Sequence, residues 1–239
     1  MTNQNINKSS PWQAVVLTSF PEMFPGPLGF GLHKKALDKK IWSLEVINIR
    51  DYSHDKHKTV DDTPFGGGSG MLMRADVIAN SLDKNILDKN EKIIYLSPKG
   101  KKFEHTDAKK MLNKNINIIC GHFEGVDQRL LETRNIEEIS IGDFVISGGE
   151  IGAIVIIDSI VRLIPGVLGN LSSLTEESFE KNLLEYPQYT KPQVWEKKSV
   201  PEVLLSGDHA KIKDWRLTQS KDITRRRRPD LWEKYKKNK

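Results

Sequence analysis

Ile116-Asn117-Ile118-Ile119-Cys120-Gly121-His122-Phe123-Glu124-Gly125 reads as a short β-branched strand, Ile116–Cys120, running straight into a glycine-bearing loop. Three earlier runs, Gln13–Thr18, Leu44–Ile49 and Lys92–Ser97, have the same character, and all four are apolar enough to be buried on both faces. Between them Leu28–Lys40, Ala75–Lys89 and Glu104–Asn113 carry helical spacing. Strands alternating with helices predict an α/β fold around a mainly parallel sheet. Ile136–Ile141 and Phe144–Ser147 add two further short strands, and Glu150–Ile164 a buried helix stopped by Pro165-Gly166.

The loops carry the chemical signal. Leu96-Ser97-Pro98-Lys99-Gly100 and Gly121–Gly125 each follow a strand, as does Ile141-Gly142-Asp143-Phe144-Val145-Ile146-Ser147-Gly148-Gly149-Glu150. In open α/β sheets the loops at the carboxyl ends of strands line the ligand crevice. Any one of them reads equally as a plain turn, but three together point to a nucleotide-like ligand. None matches G-x-G-x-x-G, so the ordinary dinucleotide fingerprint is absent. A fourth glycine-rich stretch, Asp61–Gly70, leads into Met71-Leu72-Met73 with no Gly-Lys-Ser/Thr, which disfavours a phosphate loop and leaves a mobile surface loop.

The 239 residues are 37% apolar and 29% charged, enough for a core under a well-solvated surface. Cys120 is the single cysteine, which excludes an internal disulfide and any multi-cysteine zinc site and suits a reducing compartment. Residues 1–10 are polar without a signal-peptide core and are expected to form a disordered extension. The most apolar stretch, Ile151–Ile164, is interrupted by Asp158 and Arg162 and is too short to span a bilayer. A cytoplasmic protein without membrane association is expected.

The net charge of +5 is unevenly placed. Lys211–Lys239 holds 12 Lys/Arg against 4 Asp/Glu, so residues 1–210 are left with 25 basic and 28 acidic side chains. Arg225-Arg226-Arg227-Arg228 lies near Trp215, Trp232 and Tyr235. Clustered cations neutralise phosphates and aromatics stack on bases, so the tail reads either as a nucleic-acid grip or as a solvated basic end. The composition changes after Gly166. The expected division is a domain over 11–168, an uncharged linker over 169–176 and a small, mostly helical basic domain over 177–239, with helical patterns at Glu176–Leu184 and Gly207–Ser220.

Two further features stay open at the level of residues. His54-x-x-His57 has the spacing of a metal pair but no evident third ligand, and a solvated loop is the simpler account. Arg162, in an apolar helix, either pairs with Asp158 one turn earlier or has a functional role.

Taken in order, these segments resemble the bacterial tRNA (guanine-N1)-methyltransferases, the TrmD family of the SPOUT class. The resemblance is carried by Phe20-Pro21-Glu22-Met23-Phe24, His54–Asp62, Gly66–Met73, Tyr95–Gly100, Gly121–Arg129, Ser140–Glu150 and Arg162–Gly169. Tyr189–Pro192, Val203–Gly207 and Trp215-Arg216-Leu217 extend it into the C-terminal part.

The family implies a SPOUT domain with a trefoil knot that holds S-adenosylmethionine in a bent shape. The residues implied to bind it are Tyr95, Leu96, Ser97, Pro98, Gly100, Gly121, Phe123, Glu124, Gly125, Ser140, Ile141, Gly142, Asp143, Phe144, Val145, Ile146, Gly148 and Gly149. A homodimer with shared active sites is implied, as is methylation of N1 of guanosine at tRNA position 37. Magnesium is implied as well, with no site visible in the sequence.

Guanine N1 carries a proton near neutral pH, so a base must remove it, and a cation must meet the charge that develops on O6. Arg162 matches the family's active-site arginine. The family's base is an aspartate followed by Ser-Phe; alignment on Ser178-Phe179 puts Glu177 there, one methylene and about 1.5 Å longer. Glu176 is the fallback base, and a plain first-turn glutamate is the alternative. The departure keeps two other readings in view. One is a tRNA-binding protein of this fold with impaired catalysis; the other is a SPOUT methyltransferase acting on another RNA.

Overall fold

The computed structural model describes residues 11–86, 91–169 and 177–238, and the chain divides into two compact units, 1–169 and 170–239. The predicted extension 1–10 and most of the predicted linker lie outside the described residues.

The first unit is built on five parallel strands in the order β2-β1-β6-β5-β7. These are β1 (Trp12–Thr18), β2 (Trp42–Asn48), β5 (Lys92–Lys102), β6 (Ile116–Ile119) and β7 (Glu137–Ser140). A two-stranded antiparallel pair, β3 (Asp61–Asp62) and β4 (Leu72–Met73), frames the glycine-rich stretch. The helices are α1 (Gly31–Asp38), α2 (Ala75–Asn85), α3 (His105–Met111), α4 (Gln128–Thr133) and α5 (Gly149–Val161).

Strand periodicity splits the apolar side chains between two layers. Val15, Leu17, Ile47, Tyr95 and Ile119 pack with Val77, Ile78 and Leu82 of α2 and Leu130 and Leu131 of α4. The alternate residues Ala14, Val16, Ile94 and Ile118 are also fully buried, on the side where α5 crosses β1 and β5 beside α3. The indole of Trp12 ties the sheet to the end of α3 by donating to Met111 O at 3.0 Å.

Several expectations are corrected. Strand β2 is not buried on both faces: it pairs only with β1 and exposes Glu45, as an edge strand does. Leu28–Lys40 is not one helix, because positive φ at Gly31 separates a 3₁₀ turn at Gly26–Gly29 from α1. Phe144–Ser147 is not a strand. The Ser140 hydroxyl donates to Gly142 O at 3.0 Å, and Phe144 N–H donates to the same carbonyl at 3.0 Å, folding the chain into a tight turn.

In the second unit the helix expected at Glu176–Leu184 is absent from its described part, 177–184. Phe179, Lys181 and Asn182 adopt positive φ, which a right-handed helix cannot accommodate. The helices there are α6 (His209–Arg227) and α7 (Pro229–Lys237), after a small hairpin of β8 (Val194–Trp195) and β9 (Lys198–Ser199). Helix α6 runs a full two turns past the expected Ser220, so the arginine run forms its last turn.

The loop preceding β3 is organised by Asp55, which accepts hydrogen bonds from Ser53 Oγ at 2.7 Å, His57 N at 2.9 Å and Thr59 N at 3.1 Å. The Ser53 hydroxyl, then the Thr59 amide, hold the Asp55 carboxyl well below its ordinary value of 3.8. A depressed folded value means the contribution is present above the unfolded value and is lost as pH falls through the folded one. Asp55→Asn is therefore expected to destabilise most at pH 6–7 in urea unfolding, with the gap from wild type closing as pH falls below about 4.

Candidate functional site

The three predicted loops converge at the carboxyl end of the sheet around a cavity of about 310 Å³. Each is held by identifiable bonds. Along β5, Leu96 and Lys101 both pair with Ile139 of β7, so residues 97–100 are extruded from the ladder as a bulge. Lys99 N–H donates to Ser97 Oγ within that bulge at 3.2 Å.

The second loop leaves β6 at Cys120, whose amide still bonds Leu17 O of β1 at 2.9 Å. It turns with Phe123 at φ 58° and closes through Gly125 N–H to His122 O at 3.0 Å. Its outer side is stitched to β4 by Met73 N–H to Gly125 O at 2.9 Å, and its inner side to α5 by Gly149 N–H to Gly121 O at 2.9 Å. The third loop, 141–148, ends where Gly148 pairs with His122 in an isolated bridge.

Backbone packing here leaves no space for side chains. A methyl group on Gly149 would stand 2.7 Å from Cys120 Cα and 2.9 Å from Gly121 N, both backbone atoms. One on Gly121 would stand 2.6 Å from the Tyr95 ring. Glycines therefore stand where the chain segments around the cavity press together, with Tyr95 against Gly121 and its hydroxyl pushed up by burial and then by the charge of Glu138. Burial, and next the charge of Glu150, pushes the Cys120 thiol well above its ordinary range, so it behaves as a small apolar group.

Of the residues predicted to bind a cofactor, Gly100 and Asp143 do not line the cavity; the others do. Gly100 is pressed against the backbone of Glu138 and Ile139, and Asp143 faces solvent 3.7 Å from Lys102. His122, within the Gly121–Gly125 loop, lines it too. Lys99 and Ser147, which belong to the loops read as lining a crevice, line it as well, and Val126, Gln128, Leu131, Glu138, Ile139 and Gly152 do so from outside those loops. A signal existed for some of them: Gly152 lies one turn into α5 from Gly148-Gly149, and Glu138-Ile139 are the β7 partners of the β5 bulge.

Arg162 is half-buried at the C-terminal cap of α5. The Asp158 partner offered for it is engaged elsewhere, with His33 Nε2 2.9 Å from its carboxylate. Glu177 is half-buried and opens the described part of the second unit, and Glu176 lies outside the described residues. His54 Nε2 lies 3.0 Å from Asn80 Nδ2, and among the described residues no three His, Cys, Asp or Glu side chains gather to hold a metal.

In the second unit Arg225, Arg226 and Arg227 are exposed at the end of α6, while Arg228 pairs with Asp230 at 2.6 Å. Trp232 and Tyr235 stack at 5.4 Å between ring centroids, and the Arg216 guanidinium lies over the Tyr186 ring at 4.8 Å. Among the described residues no helix is long and apolar enough to cross a membrane.

The family model described as tRNA (Guanine-1)-methyltransferase TrmD matches residues 12–234. A Pelagibacter ubique protein named tRNA (guanine-N(1)-)-methyltransferase is 67% identical over 228 residues, covering 95% of this chain and 100% of that protein. A protein of the same name from Brucella canis is 50% identical over 100% of this chain and 97% of its own length. Another from Wolbachia pipientis wMel is 53% identical over 92% of this chain and 95% of its own length.

The packing at Gly149 makes a direct prediction. Gly149→Ala is expected to lose about 1–3 kcal/mol in urea unfolding, because backbone must move to admit the methyl. Gly169→Ala, where the added carbon meets nothing within 4 Å, is expected to stay within about 0.5 kcal/mol of wild type.

Proposed function

Because this chain belongs to the tRNA (guanine-1)-methyltransferase TrmD family, we propose that it transfers a methyl group from S-adenosylmethionine to N1 of guanosine 37 of tRNA. The observation that carries the reading is a cavity of about 310 Å³ lined by three strand-end loops, within the range of small-molecule sites. The fit of S-adenosylmethionine is supported by the glycines: Gly121, Gly148 and Gly149 border the cavity where a side chain would collide with its wall. The bulge at Ser97–Lys99, the Gly121–Gly125 loop and Ile141–Ile146 are the segments that would hold it, and the trefoil knot of the family belongs to the same reading. When bound, S-adenosylmethionine supplies an electrophilic methyl group on a sulfonium.

The chain's own residues then have the acid–base work. Glu177 is proposed to take the proton from guanine N1, and Arg162 to face the negative charge that develops at O6. Glutamate retains the carboxylate that the base requires. Magnesium has no cluster of three or more His, Cys, Asp or Glu among the described residues, and no role is assigned to it.

A homodimer is part of the reading. It is supported by Ile151 and Val155, which are 55% and 44% exposed one turn apart on α5, and by Phe30, 76% exposed. Such apolar side chains on an otherwise buried helix call for a partner surface, and a second copy of the chain satisfies it. The exposed cations of α6 and the lysines of α7 suit the tRNA backbone. The same reading puts the protein in the cytoplasm, with tRNA as its substrate.

Purified protein, labelled S-adenosylmethionine and a tRNA transcript with guanosines at 36 and 37 are expected to yield label at N1 of guanosine 37. Absence of label from every such transcript would overturn the reading and favour a tRNA-binding protein without catalysis. Glu177→Gln is expected to lower turnover roughly 100- to 10,000-fold while leaving tRNA and S-adenosylmethionine binding near wild type. Near-normal turnover would move the base to Glu176 or another carboxylate.

A further inference from the structure

Glu150 is the most buried carboxylate beside the cavity, 1% exposed, and the proposed chemistry gives it no role. It sits in the first turn of α5, where the helix dipole favours an anion. Its two oxygens have separate partners. Oε1 accepts from Thr18 Oγ1 at 2.5 Å, and Oε2 stands 2.7 Å from His122 Nε2. Thr18 is itself fully buried at the end of β1 and accepts from Phe20 N–H at 2.9 Å. The His122 ring rests on Phe20, 4.7 Å between centroids.

One carboxylate thus joins three elements: the end of β1, the loop after β6 and the first turn of α5. Oε1 takes the Thr18 hydrogen, and a carboxylate that accepts at Oε2 as well pairs with a donating imidazole nitrogen. We infer that Glu150 is a positioning residue for the cavity: it fixes His122 in the Nε2–H tautomer, leaves Nδ1 as a lone-pair acceptor, and clamps the Gly121–Gly125 loop that forms the cavity wall. Thr18 can give its proton to Glu150 because its own oxygen is already oriented by the Phe20 amide. The bridge between His122 and Gly148 and the bond from Gly149 to Gly121 hold the backbones, and Glu150 holds the side chain between them.

The inference rests on the reading of the cavity as the S-adenosylmethionine site, and the two are separable by experiment. In ¹⁵N-histidine-labelled wild-type protein without ligand, the His122 resonances are expected to show a protonated Nε2 and an unprotonated Nδ1 at neutral to mildly alkaline pH. A protonated Nδ1 with a bare Nε2 would overturn the inference whatever the protein binds. Glu150→Gln keeps the shape and removes the charge. It is expected to weaken S-adenosylmethionine binding about tenfold in equilibrium dialysis, with the far-ultraviolet dichroism of wild type.

His122→Gln is expected to weaken binding similarly, and adding Glu150→Gln to it is expected to cost less than threefold more, since the two act as one unit. Wild-type binding with a Glu150→Gln affinity within threefold of it would contradict the positioning role. Failure of the wild type to bind at all would instead contradict the proposed function. If Glu150→Gln does not fold, the wild-type tautomer and the His122→Gln affinity decide the matter.

Discussion

The contact on which the cavity's arrangement depends is the approach of α5 to the end of β6. Gly149 N–H reaches Gly121 O at 2.9 Å only because neither residue carries a side chain, and the contact ties the loop after β6 to the first turn of α5. It sets where the helix begins, and so where Glu150 stands relative to Thr18 and His122. It also places the turn before Gly148 opposite the bulge of β5, since β5 lies between β6 and β7. Glycine at the crossing points lets the backbones approach this closely.

That geometry explains which parts were legible in the sequence. Buried parallel strands are continuous β-branched runs, so β1 and β6 were readable to within a residue of their ends, whereas β5 was readable only to Ser97, short of its bulge and its end at Lys102. Edge strand β2 was readable in position and not in burial, because burial depends on whether a neighbour exists, which local sequence does not encode. The Phe144–Ile146 run misled for a related reason. Apolar residues that face a cavity or a partner look like strand residues, and only the Ser140–Gly142 turn distinguishes them. The stretch after residue 177 failed because left-handed backbone at Phe179, Lys181 and Asn182 has no compositional signature.

The candidate site was legible to the extent that it is made of glycine loops. Residues supplied by regular elements, such as Glu138, Ile139 and Gly152, required the strand register to be known. The roles of Arg162 and Glu177 came from family likeness, since neither spacing nor charge singles out a base for guanine N1. In the second unit the arginine run was visible as charge. Its placement as the last turn of a long helix, with Arg228 diverted to Asp230, was not.

The central claim is that the three strand-end loops form one S-adenosylmethionine site. Amide hydrogen exchange followed by mass spectrometry, with and without S-adenosylmethionine, tests it directly. Binding is expected to slow exchange together in residues 95–100, 121–125 and 140–149, with α2 and α6 unchanged. Slowed exchange confined to other segments, or none at saturating ligand, would contradict it.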